Sequence, residues 1–190
     1  MTEVVEFRRY TLKSGARETL VELFDREFVE SQEALGMSIL GTFRDLDDPD
    51  QFVWIRGFPD LASRAPALTA FYTGPVWKEH AAAANATMVD VDNVLLLRPA
   101  DESPQLEHEP ERRPAIGAAE RDAVLWVTIS DGPVEGDALA RFVTKHARND
   151  FPALPVREDV DVVVALWTTE PPPAAETLRL QPTPRSLLPP

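Results

Sequence analysis

The chain has 190 residues and 44% hydrophobic content, enough to bury the core of one large domain or two small ones. Its formal charge is −13, from 19 basic and 32 acidic side chains, and no basic cluster breaks the acidic surface, so neither nucleic acid nor a membrane surface is an expected partner. The absence of cysteine excludes disulfides, thiolate catalysis and Cys-based metal sites, and together with the lack of a signal-like N-terminus it points to a cytoplasmic protein.

Taken in chain order, Val4–Leu12 is predicted as a strand and Lys13-Ser14-Gly15 as a turn. Leu20, Leu23, Phe24 and Phe28 recur at helical spacing, so Ala16–Leu35 is predicted as a helix, with Gly36 as its C-cap. Met37–Phe43 and Phe52–Phe58 are predicted strands around the hairpin turn RDLDDPD. Asp60 caps a helix over Leu61–Tyr72, Gly74-Pro75 breaks it, and a short helical piece follows over Val76–Ala84. Met88–Arg98 completes a βαββαβ order, the ferredoxin-like split unit.

Composition then shifts: residues 1–98 hold four prolines and residues 99–190 hold fourteen. The segment 100–121 reads as an extended linker between a unit at 1–99 and a second, degenerate one at 122–190. In that second unit Ala123–Ser130 is a predicted strand. Val134–Arg148 is a predicted helix with Leu139, Phe142, Val143 and His146 on one stripe. Asp161–Thr168 and Thr177–Leu180 are predicted strands, and the stretch around Val156 is a possible further one. The fold class is α+β: two tandem ferredoxin-like units whose antiparallel sheets pack as an α/β barrel, closed within one chain as an internal pseudo-dimer or between two chains as a homodimer.

Strand alternation sorts the polar residues. Arg8 and Tyr10 share a face with Glu6, Trp54 shares one with Arg56, and Trp126 falls on the polar side of its strand. We expect these mixed faces to meet across a lumen lined by Arg8, Tyr10, Trp54, Arg56, Trp126 and Asn93, with the purely apolar faces against helices. An apolar pocket with a few convergent polar groups suits a small hydrophobic molecule. In this reading Arg8 or Arg56 holds an anionic oxygen, and Tyr10 or His80 moves a proton. Trp54, Trp77 and Trp126 shape the pocket. The structural alternative is a Glu6–Arg8–Arg56 salt-bridge network with tryptophans as core filler. His108 is expected in solvent, and His80 can equally meet a carboxylate.

No metal or cofactor is expected. His-x-x-His, His-Glu-x-x-His, glycine-rich phosphate loops and the G-x-S-x-G elbow are all missing, and the acidic run from Asp45 has Asp50 and Arg56 where a calcium loop needs Gly and Glu.

The stretches VVEFRRYTLKSGARETLVELFDREF, LGMSILGTFRDLDDPDQFVWIRGFPDLASRAPALTAFYTGPVWKEH and NATMVDVDNVLLLRP resemble the NIPSNAP family, a branch of the dimeric α/β-barrel superfamily. The second half, ending in TLRLQPTPRSLL, is similar to the weaker second repeat of longer bacterial members. The resemblance implies a ferredoxin-like unit whose sheet pairs with another to close a barrel. It also implies kinship with a superfamily of cofactor-free monooxygenases, haem-degrading enzymes, and cyclases or isomerases of aromatic polyketides, whose sites lie between sheet and helices. It implies no catalytic motif that transfers residue by residue. Two functions follow: a cofactor-independent enzyme acting on a hydrophobic aromatic substrate, or a non-catalytic ligand-binding or protein-interaction barrel.

Overall fold

The structure is a computed structural model describing residues 2–190. Eight strands form one closed barrel in the order β1-β3-β2-β8-β5-β7-β6-β4. In the first half, β1 (Val4–Leu12), β2 (Ser38–Asp45), β3 (Gln51–Phe58) and β4 (Met88–Pro99) alternate with helices. The helices are α1 (Arg17–Leu23), α2 (Val29–Glu33), α3 (Leu61–Tyr72) and α4 (Pro75–Thr87). The second half supplies β5 (Leu125–Ser130), β6 (Ala140–Thr144), β7 (Val163–Trp167) and β8 (Glu176–Pro182). Around the barrel the halves run β4-β1-β3-β2 and β8-β5-β7-β6, the same order twice. They meet at two antiparallel seams, β2 with β8 (Phe43 opposite Pro182) and β4 with β6 (Leu97 opposite Thr144). The barrel therefore closes within one chain.

The first half forms its elements for local reasons. Gly15 and Gly36 take positive φ, at 75° and 85°, turning the chain into α1 and out of α2. Asp60 and Ser63 form a reciprocal capping box at the start of α3, with Ser63 N donating to Asp60 Oδ1 at 2.7 Å. Gly74 and Pro75 end α3 and begin α4. The predicted helix over Ala16–Leu35 contains a π-helical segment, Phe24–Phe28, between α1 and α2. Its wider turn lets Phe24 and Phe28 pack edge to face, 5.9 Å apart.

Two main expectations are overturned. Val134–Arg148 is not a helix: residues 140–144 form β6, in which Ala140, Phe142 and Thr144 alternate into the barrel. Leu139, Phe142 and Val143 satisfy a helical period, but the seam with β4 and the ladder with β7 both need a strand here, and closure decides. No strand forms at Val156, and His146, in the segment after β6, is an exposed residue 3.2 Å from Asp161.

The second correction concerns which face points inward. The lumen is filled by apolar side chains from all eight strands, among them Phe7, Ile55, Phe43, Leu180, Val127, Leu166, Phe142 and Leu97. An eight-stranded barrel has room inside for little besides side chains. Arg8, Tyr10, Trp54 and Arg56 do share one face, but it is the outer one, roofed by α1–α4. A charge in the lumen would meet only hydrocarbon, whereas the helix layer brings Gln32 and Arg64 to the outer face. Trp126 lies on the outer face of the second half, half-buried, with the Arg179 guanidinium 6.0 Å from its ring. No helix among the described residues is long and apolar enough to cross a membrane.

Candidate functional site

Between the outer face of β1–β3 and the helices lies a cavity of about 90 Å³. Tyr10 and Trp54 form its floor, and Leu20, Phe24, Phe28 and Gln32 line the side formed by the long first helical stretch. Phe71 and Tyr72 come from α3 and Trp77 and Asn85 from α4, while Leu154 enters from the connection between β6 and β7. The aromatic rings meet mostly edge to face or tilted: Tyr10 and Trp54 are 5.9 Å apart, Tyr72 and Trp77 4.9 Å, Phe28 and Trp77 5.6 Å.

Beneath this floor is a buried ionic cluster. Glu6 Oε2 accepts from Arg8 Nη1 at 2.7 Å and from Arg56 Nη2 at 2.6 Å. Arg64 Nε, from α3, donates to the other oxygen at 2.8 Å. All four side chains are 0% exposed. Arg56 Nη1 also donates to Gln32 Oε1 at 2.8 Å, and Arg64 continues outward to Asn149 and Asp150. Arg8 Nε donates to the Tyr10 hydroxyl at 3.1 Å. The guanidiniums of Arg8 and Arg56 lie 5.4 and 4.8 Å from the Trp54 ring.

Burial alone would raise the Glu6 pKa, but Arg56, Arg8 and Arg64 outweigh it and hold the carboxyl well below the usual carboxylate range. Burial likewise opposes the charge on Arg8, yet Tyr10 and Glu6 hold its pKa above the ordinary value. The Tyr10 phenol is pushed up by burial, with Arg8 offsetting only part of the rise, so it stays protonated at neutral pH.

Three buried guanidiniums thus meet two carboxylates, Glu6 and the partly exposed Asp150. One positive charge is in excess. Three donors there have no hydrogen-bond partner among the described residues: Arg8 Nη2, Trp54 Nε1 and Arg64 Nη2, the last still 2.7 Å from Glu6 Oε1; Arg9 Nε and Arg113 Nε are unpaired elsewhere. By contrast, the buried indole of Trp167 donates to Thr128 at 3.0 Å. A buried unpaired donor costs free energy that a packed core does not leave standing without cause.

Five of the predicted residues gather here: Tyr10, Trp54 and Trp77 on the cavity wall, and Arg8 and Arg56 behind Trp54. The other three do not. His80 sits beside the wall, not in it: its Nε2 is 3.4 Å from Glu27 Oε2 and its ring 6.3 Å from that of Phe28. Asn93 lies opposite Arg9 on β4, and Trp126 is on the other half of the barrel. His108, expected in solvent, pairs with Glu33 at 2.7 Å. Gln32, Tyr72, Arg64 and Leu154 were not predicted. Arg64 carried a signal, since it falls on the apolar stripe of Leu61, Leu68 and Phe71, where a charge demands a buried partner.

The NIPSNAP family model matches residues 5–104, β1 through the first turn beyond β4. The chain belongs to the NIPSNAP family. An uncharacterised NIPSNAP-like domain protein from Burkholderia xenovorans is 26% identical, with a TM-score of 0.52 over 58% of this chain and 97% of that one. A NIPSNAP family protein of unknown function from Agrobacterium tumefaciens is 24% identical, with a TM-score of 0.50 over 56% and 95%. Those chains correspond in extent to the first half alone. A Lactobacillus acidophilus protein with a provisional monooxygenase assignment spans 96% of this chain and 94% of its own, with a TM-score of 0.57 at 10% identity, a likeness of fold alone. No functionally curated protein matches. The cavity and its ionic floor are built almost wholly from the NIPSNAP unit, with Leu154, Asn149 and Asp150 the contributions from beyond it.

Proposed function

We propose that this NIPSNAP protein binds a small hydrophobic aromatic molecule bearing one acidic oxygen in the cavity between β1–β3 and the helices. It acts on that molecule as a cofactor-independent enzyme of oxygenase, cyclase or isomerase type. The observation that carries the reading is Trp54 Nε1, a buried unpaired donor of a cavity-wall residue, with the unpaired Arg8 Nη2 in the ionic cluster behind it, a cluster with one uncompensated positive charge. An anionic oxygen supplies what the cluster lacks. The rings of Phe28, Phe71 and Trp77 supply edges and faces for an aromatic body.

The chemistry follows from the donors. Tyr10 accepts from Arg8 Nε, which leaves its own O–H able to donate to the ligand. Trp54 N–H and Tyr10 O–H, in the field of Arg8 and Arg56, favour an enolate, phenolate or carboxylate over its neutral acid. Preorganised donors of this kind promote reactions that pass through such an anion. A cysteine-free chain is suited to do this in a reducing compartment such as the cytosol.

One observation favours a second reading. The cavity wall contains no carboxylate, imidazole or amine, so it can stabilise an anion but holds no ordinary general base. A non-catalytic binding module would look the same.

Titration of the full-length protein with benzoate, 2-naphthoate and their methyl esters, followed by tryptophan fluorescence, tests the proposal. The acids should bind at least tenfold more tightly than the esters, and Tyr10→Phe should remove most of that preference. Equal affinity for acid and ester would overturn the anionic site. Mass spectrometry of enolisable aromatic ligands after incubation in air separates turnover from binding.

A further inference from the structure

The geometry points to a lid supplied by the second half: the β6–β7 connection, residues 145–162, closes the first half's cavity, sets its size through Leu154, and is latched by Asp150 on Arg64. This rests on the cavity being the ligand site proposed above.

The connection is long where its counterpart is short. The equivalent β2–β3 turn has five residues, 46–50, whereas β6–β7 uses eighteen, 145–162. The extra length leaves its own half and crosses to the first. It is pinned on β4 at two points, with Lys145 N donating to Leu96 O and Arg157 N to Val94 O, both at 2.8 Å. Between the pins this arch of chain runs past the wall of the cavity at Tyr72. Phe151 stacks on Tyr72, 6.1 Å apart and 25° from parallel, and Leu154 reaches the cavity wall. Asn149 braces the arch from within, its Nδ2 donating to Leu154 O at 2.9 Å.

A wall that opens is needed. The cavity, about 90 Å³, is smaller than the roughly 150 Å³ that accommodates a benzene ring in a protein core. Of its walls, the β-sheet is fixed by barrel closure and the helices by the aromatic cluster. The arch belongs to neither, and its middle is held by Arg64 with Asn149 and Asp150 and by Phe151, Leu154 and Val156 packed against the core. Asp150 is the weaker of the two anions on Arg64, its side chain 26% exposed against 0% for Glu6. Releasing it leaves Arg64 paired with Glu6, so opening does not strand a bare buried charge. Pro152 and Pro155 flank Leu154, which suits a segment that moves as a stiff flap between two pins.

The test uses the full chain with Trp126, the one half-exposed tryptophan remote from the cavity, replaced by Phe. Acrylamide quenching should rise at least twofold in both Asp150→Asn and Leu154→Ala, and amide exchange across 147–156 should quicken in Asp150→Asn while β5 and β7 stay protected. Leu154→Ala should also shift preference from benzoate toward 2-naphthoate by tenfold or more. Unchanged quenching and exchange in both variants would overturn the lid. Increased quenching with no binding of either acid would leave the lid standing and remove the ligand reading beneath it.

Discussion

Glu6 and Arg56 stand directly opposite each other on β1 and β3, and their side chains meet at 2.6 Å with no exposure to solvent. That one contact joins two strands, anchors Arg8 and Arg64, and places positive charge behind Trp54. Replacing Glu6 with Gln would leave three buried guanidiniums without their shared anion. The expected loss is about 3–5 kcal/mol of stability, read as a lower urea midpoint at neutral pH. The pH dependence has a definite sign. Because the folded pKa lies below the usual 4.5, the contribution of Glu6 is complete above that value and is lost as pH falls below it. Wild type should therefore lose stability in acid more steeply than Glu6→Gln does.

Asp25 should show the opposite sign. It lies in the π-helical segment, 8% exposed and 3.5 Å from the Thr183 hydroxyl, and burial raises its pKa from 3.8 to about 6 despite Arg185 and Arg44. The folded state holds this proton more tightly than the unfolded chain, so stability declines as pH rises through that window. Asp25→Asn removes the penalty. It should raise stability at neutral pH by about 1–3 kcal/mol, following from roughly 1.4 kcal/mol per pKa unit, and change little in acid. Thermal melts at two pH values check this.

His80 and Tyr10 separate the neighbourhood of the cavity from the cavity itself. His80→Ala removes a partly exposed pair with Glu27, worth under about 1 kcal/mol, and an edge contact with the Phe28 ring, and should leave aromatic acid binding within twofold of wild type. Tyr10→Phe removes a hydroxyl from the wall and should weaken that binding by about tenfold. A tenfold loss in His80→Ala would put the imidazole in the site.

A chain ending at residue 99 should fold its helices over β1–β4 yet fail to stay monomeric. Val5, Phe7, Phe43, Val53, Ile55 and Leu95 would face water instead of the second sheet, and both seam edges would be open. Light scattering should report dimers or larger species, whereas the full-length barrel presents no open seam.

The first half was legible because its signals are local. Gly15, Gly36, Asp60 and Gly74-Pro75 punctuate the chain, and each predicted element between them is present within a few residues. The orientation of the sheet was not. Alternation shows that Glu6, Arg8 and Tyr10 share a face, but only the closed barrel decides whether that face looks inward or outward. β6 was missed because ARFVT fits either period, and the partner that makes it a strand, Leu97–Pro99, lies more than forty residues earlier. Leu154 was missed for the same reason: nothing within its own stretch records that it touches a cavity built from residues 10–91.

The seam between β2 and β8 has a consequence for synthesis. On the ribosome, β1 to β4 emerge with an oily inner surface and an edge that cannot be paired until residues 180–182 follow. The order of translation thus keeps a finished-looking half waiting for the last strand, with contacts spanning more than 130 residues. Until that strand arrives the half-sheet exposes apolar surface and an unpaired edge, the features that make a partly folded chain prone to aggregate.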